Sequence, residues 1–254
     1  MAFGFGTGGF GSASTDRLKF NTAIGFATTN CWFFRAYQHG SGGGAQGRVW
    51  IGINSGLTIS NSIQNDDTGP SLLFNCGQWT TVGQWTIPRP SLDAWHSHVV
   101  GYSTSALGNV PTWSVDGVAQ TVTTLTAPTG SAAALTAFHY VGNRQDVAAD
   151  RAWDGMICDF FTCNRLPTAD EAAQYHAGFS GRFLRRGTST VQNHDMIRDQ
   201  GCYSTTNTVT VTGTVVQPHP RVIFPGSRRT AWKKPAVAAG TKTIYHHFQQ
   251  MGVY

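Results

Sequence analysis

The sequence predicts an all-β protein carrying a single short helix, and three observations lead there. Strand-like runs, in which apolar and polar residues alternate, recur along most of the 254 residues with Gly, Asn, Asp and Pro turn signals between them. Glycine is abundant at 30 residues and charged residues make up only 12% of the chain, a composition suited to many strands joined by tight turns. Helix-start and helix-stop signals combine in one stretch, "NRLPTADEAAQYHAG" (164–178). Regularly spaced strands of this kind argue a sandwich or a barrel.

Taken in order, residues 1–15 read as an arm, Gly-rich with Phe3, Phe5 and Phe10, which has few side chains to pack and is expected to order only against a neighbour. Strand character begins with "RLKFNTA" and continues in "NCWFFRAYQH"; the Gly-rich 40–47 then acts as a flexible connection. "RVWIGI", "LTISNSIQ" and "SLLFNCGQW" follow. "GQWTTVGQWTIPRP" reads as loop-rich, with little to bury Trp79 and Trp85. "WHSHVVGYS" (95–103) is a strand, and 111–126 is a hairpin around Asp116-Gly117, a dipeptide with strong hairpin preference. "AFHYVGN" and "AWDGMICDFFTC" are two more strands. The helix has Thr168 as N-cap, Pro167 near its first turn, Asp170 and Glu171 complementing its N-terminal dipole, and Gly178 to stop it.

The chain is long enough to bury a sizeable core. No stretch approaches the ~18 consecutive apolar residues that cross a bilayer, so no membrane partner is expected. The first residues lack the basic and apolar regions of a secretory signal, which points to synthesis in a cytoplasm. Five cysteines, Cys31, Cys76, Cys158, Cys163 and Cys202, are scattered without zinc-site spacing and read as small buried hydrophobes.

Charge is partitioned. Residues 1–180 carry eight Lys and Arg against eleven acids, whereas 181–254 carry ten against two, giving local balances of −3 and +8. A mildly acidic body with a basic end implies an acidic partner, either nucleic acid or a protein surface. In the arm at 226–254, Arg228, Arg229, Lys233 and Lys234 bracket Trp232, while Tyr245, Phe248 and Tyr254 are too apolar for a freely solvated tail. An arm docking on an acidic protein neighbour satisfies both features, and one aromatic among four cations is thin for nucleic acid.

Five motifs stand in a telling order: "WHSHVVGYS" (95–103), "WSVDG" (113–117), "YVGN" (140–143), "WDGMICDFFTCNR" (153–165) and "LPTADEAAQYH" (166–176). Their order resembles that of the concanavalin A-like, or laminin-G-like, jelly-roll domains. The closing segment 195–225, with "VTVTGTVV" as a returning strand, is similar to that of such proteins from tailed bacteriophages. The resemblance implies a two-sheet antiparallel jelly-roll sandwich over 16–225 with extended terminal arms. It also implies that the helix plugs an open end of the core through Leu166, Ala173 and Tyr175. Relatives hold Ca²⁺ at one sandwich edge, for which Asp66, Asp67 and Asp116 are the candidates here, although no specific ligand spacing accompanies them.

Glycosidases of this fold need paired carboxylates, generally glutamates, about 5.5 Å apart. This chain has a single glutamate, Glu171, on the helix; Asp66/Asp67 sit in a turn, and Asp154/Asp159 belong to a turn motif and a strand. No serine lies in a GxSxG context. His96 and His98 share a strand face, but His96 follows the Trp-His pattern and is expected to bond locally, and His246 and His247 are adjacent and so diverge. The chain therefore reads as non-enzymatic. The first expectation is a virion structural protein, a capsid decoration protein made in the host cytoplasm. In that reading Phe3, Phe5, Phe10 and the cations and aromatics of 226–254 clamp major capsid subunits and further copies, as a homotrimer. The alternative is a carbohydrate-binding adhesion module on head or tail fibre, stacking Trp79 and Trp85 on a host glycan; a glycan-cleaving enzyme comes third.

Overall fold

The computed structural model describes residues 2–5, 17–20, 23–40, 47–54, 60–66, 69–146, 151–178, 191–192, 209–212 and 215–217. The early strands are β1 (Ala2–Phe5), β2 (Arg17–Phe20), β3 (Ile24–Phe26), β4 (Thr29–Gln38), β5 (Arg48–Ile53), β6 (Ser60–Asn65), β7 (Ser71–Cys76), β8 (Trp79–Thr81) and β9 (Gly83–Pro88). They are followed by β10 (Trp95–Ser103), β11 (Thr112–Val115), β12 (Val118–Ala119), β13 (Thr123–Thr126), β14 (Thr129–Ala132), β15 (Leu135–Val141) and β16 (Gly155–Cys163). Helix α1 (Ala169–His176) comes next, then β17 (Val191–Gln192), β18 (Val209–Thr212) and β19 (Val215–Gln217).

Two large sheets form. Sheet A runs β12-β11-β10-β4-β16-β1-β19, with β17 also on β16; sheet B runs β13-β9-β7-β6-β5-β15-β2-β18, with β3 also on β15. The short pair β14-β8 stands apart from both. All of these pairings are antiparallel. The alternation along each strand decides which side chains meet. Trp32, Phe34 and Ala36 of β4, Val100 and Tyr102 of β10 and Ile157 of β16 face Trp50, Ile63, Phe74 and Trp85 of sheet B in one buried cluster. Rings touch across the layers: Trp32 lies 5.3 Å from Trp50 and 5.2 Å from Phe74, centroid to centroid. Burial of each such side chain stabilises by about 1.5–3 kcal/mol, which makes this cluster the main source of the fold's stability. The molecule is an antiparallel jelly-roll sandwich.

Two turns show why the local residues are needed. Asp116 and Gly117 have φ of 50° and 84°, the left-handed pair of a type I′ hairpin, and an Asp-Gly dipeptide adopts it at low cost. At Gly155, φ is 149° and a Cβ would come within 2.0 Å of the Tyr37 carbonyl oxygen, so no other residue fits.

Four expectations need correction. Residues 2–5, assigned to an arm reaching for a neighbour, form β1 between β16 and β19 of the same chain, with Phe3 opposite Ile157 and Val216. A strand in that position satisfies its ladder on both sides within its own sheet. The segment 111–126 is not one hairpin: β12 ends at Ala119, and β13 crosses to sheet B and pairs β9. "VTVTGTVV" is likewise split, β18 pairing β2 in sheet B and β19 pairing β1 in sheet A. Lastly, α1 does not plug the core's end. It lies on the outer face of sheet A, where Tyr175 and Ala172 pack on Cys31, Phe33, Val99, Phe161 and Cys163, all pointing away from the core. Of the three plug residues only Tyr175 is buried; Leu166 and Ala173 are exposed.

The capping box foreshadowed by Thr168 is complete. The Glu171 amide donates to the Thr168 hydroxyl at 3.2 Å and the Thr168 amide to the Glu171 carboxylate at 2.9 Å. Opposite, the guanidinium of Arg35 is buried with its Nη2 donating to the Tyr175 carbonyl at 2.6 Å and its Cζ 4.6 Å from the Tyr175 ring centre. Its Nε lies 3.6 Å from the carboxylate of Asp159. Asp159 reaches that position because a bulge between Cys158 and Phe161 gives it a φ of 53°.

Candidate binding cleft

At the end of the sandwich where β4 begins and β10 finishes, four connections converge around a cleft of about 440 Å³. They are Phe26–Thr28 leading into β4, the Gln78–Trp79 turn between β7 and β8, Thr104–Leu107 after β10, and Ala132–Ala134 before β15. Register explains the convergence: Thr29 opposes Ser103 and Leu135 opposes Phe26, so all these strand ends reach the same rim.

The walls are fixed by hydrogen bonds. The Thr104 amide and hydroxyl both donate to the Thr28 carbonyl, at 2.7 and 3.1 Å. Asn30 closes its own turn by bonding the amide and carbonyl of Ala27. The Ala133 amide donates to the Gln78 carbonyl at 2.7 Å, and the Gln78 side chain accepts from Asn61 at 3.1 Å. Trp79 donates from its indole to the Tyr102 hydroxyl at 2.9 Å, and Tyr102 in turn packs 4.8 Å from Trp85. Burial raises the Tyr102 phenol to about 12, so it stays neutral. Among the described residues, none that lines the cleft carries an ionisable side chain. The cleft thus offers amide and hydroxyl groups, alanine methyls and aromatic edges, at a volume in the range of small-ligand sites.

Trp79 and Trp85, expected as an exposed stacking platform, belong to the core instead, at 6% and 1% exposure. "GQWTTVGQWTIP" is strand, β8 and β9, and its parity turns both indoles inward; Trp85 stacks 5.9 Å from Phe74. Trp79 still borders the cleft, whereas Trp85 does not line it. Asp66 is buried at the β6–β7 turn of sheet B and Asp116 sits in the β11–β12 hairpin of sheet A, so these two calcium candidates do not share a site. Asp67, Phe10, Arg228, Arg229, Trp232, Lys233, Lys234, Tyr245, Phe248 and Tyr254 lie outside the described residues. Among the described residues no three His, Cys, Asp or Glu side chains gather as a metal site would require.

The histidines have separate duties. His98 is fully buried, stacked 4.6 Å from Phe34 and accepting from the Trp113 indole, and burial lowers it to about 3. His139 repeats the arrangement in sheet B with Phe26 and Trp50, again at about 3 through burial. His96 bonds Asp116 at 2.6 Å and Ser91 at 3.0 Å, the local role expected for it. Burial would raise Asp116, but bonds from His96 and from the amide and hydroxyl of Ser97 outweigh it and hold the carboxyl at about 2.

A Ser/His/Asp relay also forms. Ser97 donates to Asp116 at 2.9 Å and so accepts from His176 Nδ1 at 2.8 Å, leaving His176 Nε2 to accept from Ser114 at 2.8 Å. It joins β10, β11 and the last turn of α1, clamping the helix to the sheet. Glu171, the sole glutamate, is engaged by Arg165 and Thr168.

No protein-family model matches the chain, and no curated protein matches it. Solved structures do. A native heptameric SAP-like pentraxin from Limulus polyphemus aligns with a TM-score of 0.58 at 11% identity, covering 84% of this chain and 93% of that one. The extracellular region of zebrafish Gpr126/Adgrg6 aligns at 0.51 and 10% identity, over 85% of this chain and 26% of that one. Mouse laminin alpha1 domains LG4-5 align at 0.44 and 15% identity, over 66% and 43%. The likenesses to the pentraxin and to the Gpr126/Adgrg6 region are of fold, an antiparallel jelly-roll sandwich.

Proposed function

We propose that the chain is a non-catalytic carbohydrate-binding module that holds a neutral saccharide in the end cleft. One observation carries the reading: a cavity of about 440 Å³ lined, among the described residues, by amides, hydroxyls, small methyls and a tryptophan, without an ionisable side chain. A sugar ring presents hydroxyls around its edge and C–H bonds on its faces, which such a lining matches. An anionic or cationic ligand finds no counter-charge among the described lining residues. This differs from an open tryptophan platform in using concavity where flat stacking was expected. Glycan cleavage is disfavoured, since Glu171 is bound to Arg165 and the N-cap. A glycan array with the full chain tests the reading, using Ala133→Trp to fill the cleft from an exposed position. Binding of neutral glycans that the variant loses, with an unchanged melting temperature, is the expected result. An array without signal, or a signal indifferent to Ala133→Trp, removes the reading.

A second reading, capsid decoration in a virion, draws on the charge partition between residues 1–180 and 181–254. With β1 built into its own sheet, the clamp on major capsid protein, in a homotrimer or otherwise, falls to residues 226–254. Deleting them while capsid occupancy stays the same would end that reading.

A further inference from the structure

Beneath α1, sheet A holds two thiols face to face. Cys31 in β4 and Cys163 in β16 are direct partners in the antiparallel ladder, so their side chains leave the sheet on one side. Directly opposed residues have Cα atoms about 4.5–5.5 Å apart, inside the ~4.4–6.8 Å that a disulfide bridges. Both side chains belong to the sealed apolar cluster, at 0% and 4% exposure, and the two sulfurs hydrogen-bond to each other. The other described cysteines lack such a partner, Cys76 facing the core between the sheets and Cys158 standing opposite Arg35.

The two sulfurs are not equivalent. The bond from Cys31 and the nearby Arg165 guanidinium hold the Cys163 thiol below its usual range against the effect of burial, while burial pushes Cys31 up. Cys163, the less deeply buried of the pair at 4% against 0% exposure and two residues from Arg165, is the attacking thiol and Cys31 the resolving one. Sealing of both thiols beneath α1 favours a small oxidant such as hydrogen peroxide over a peptide-sized disulfide.

We propose that Cys31 and Cys163 form an oxidisable dithiol that hydrogen peroxide converts into a cross-strand disulfide, stapling β4 to β16 under the helix. The Cys163 thiolate attacks one peroxide oxygen, the O–O bond breaks, and the departing hydroxide takes up the proton that Cys163 gave away, forming water. Cys163 is then a sulfenic acid. The Cys31 sulfur attacks the Cys163 sulfur, the S–O bond breaks, and the oxygen leaves as a second water with the Cys31 proton. Two electrons pass from the sulfur pair to the peroxide, and each thiol hydrogen ends in water.

The test uses the reduced full chain with one equivalent of hydrogen peroxide, followed by alkylation, digestion and mass spectrometry. A cross-linked peptide joining the Cys31 and Cys163 segments, lighter by two hydrogens, is expected. The melting temperature should rise by roughly 5–15 °C and return on reduction. Cross-links through Cys202 instead, over-oxidation of Cys163 beside an alkylatable Cys31, or unreacted thiols would overturn the proposal. In Cys31→Ser the reaction should stop at a Cys163 sulfenic acid that dimedone traps; trapping at another cysteine, or none, counts against it.

Discussion

On the outer face of sheet A, Phe33 and Phe161 stack 4.4 Å apart and Tyr175 of α1 closes over both, at 5.3 and 5.7 Å. On the outer face of sheet B, Ile51, Ile53 and Tyr140 cluster on β5 and β15, while the positions from β6 to β13 carry amides and hydroxyls. Thr126 donates to Gln84, Gln84 to Asn75, Asn75 to Ser62 and Ser62 to Gln64, at 2.8 to 3.0 Å, so the bonds run from β13 to β6. Both solutions satisfy a sheet face, but they distribute the stabilisation differently. The helical lid concentrates it in one ring that also seats Arg35, whereas the ladder spreads it over neutral groups of similar worth.

That difference sets the order of expected effects. Tyr175→Ala removes the ring from every partner on sheet A and should cost about 3–5 kcal/mol in denaturant unfolding. A loss under about 1 kcal/mol would mean that the lid is decorative. Acid provides a perturbation common to both sheets, because His98 and His139 are each held neutral, at about 3, by burial. In the unfolded chain they protonate near 6.5. Their folded values are depressed, so the contribution of these two histidines is constant above about pH 6.5 and falls as pH drops toward 3. The slope is about 1.4 kcal/mol per pH unit for each histidine. A pH series of melts that stays flat between 6.5 and 4 would show the imidazoles accessible to protons. Asn75→Ala breaks two rungs of the ladder and should cost about 1–3 kcal/mol, less than the tyrosine. Thr168→Ala loses one cap bond, at about 1 kcal/mol, measurable by the same unfolding curve.

The comparison also shows what a sequence can and cannot carry. The Asp116-Gly117 hairpin, the Thr168 cap and the parity of "NCWFFRAYQH" were legible, because each depends on residues within a few positions of one another. The face that α1 covers was not, since Tyr175 meets Phe33 only through the β4–β16 register. Trp79 and Trp85 were misread because glycines and threonines around them mimic a loop, while burial depends on which sheet β8 and β9 join. The cleft was invisible for the same reason: its walls come from residues 26–28, 78–79, 104–107 and 132–134, none bearing charge or a motif. A long uncharged run from Gly117 to Phe138 is the nearest thing to a local signal for one wall.

Indole N–H resonances offer a direct probe of that cleft, because Trp79 borders it and Trp85, a few residues on, does not. In a titration with a neutral oligosaccharide drawn from the array, the Trp79 resonance should move saturably while that of Trp85 shifts less. A saturable shift elsewhere with Trp79 unmoved, or no shift with any neutral sugar, would contradict the cleft as the binding site.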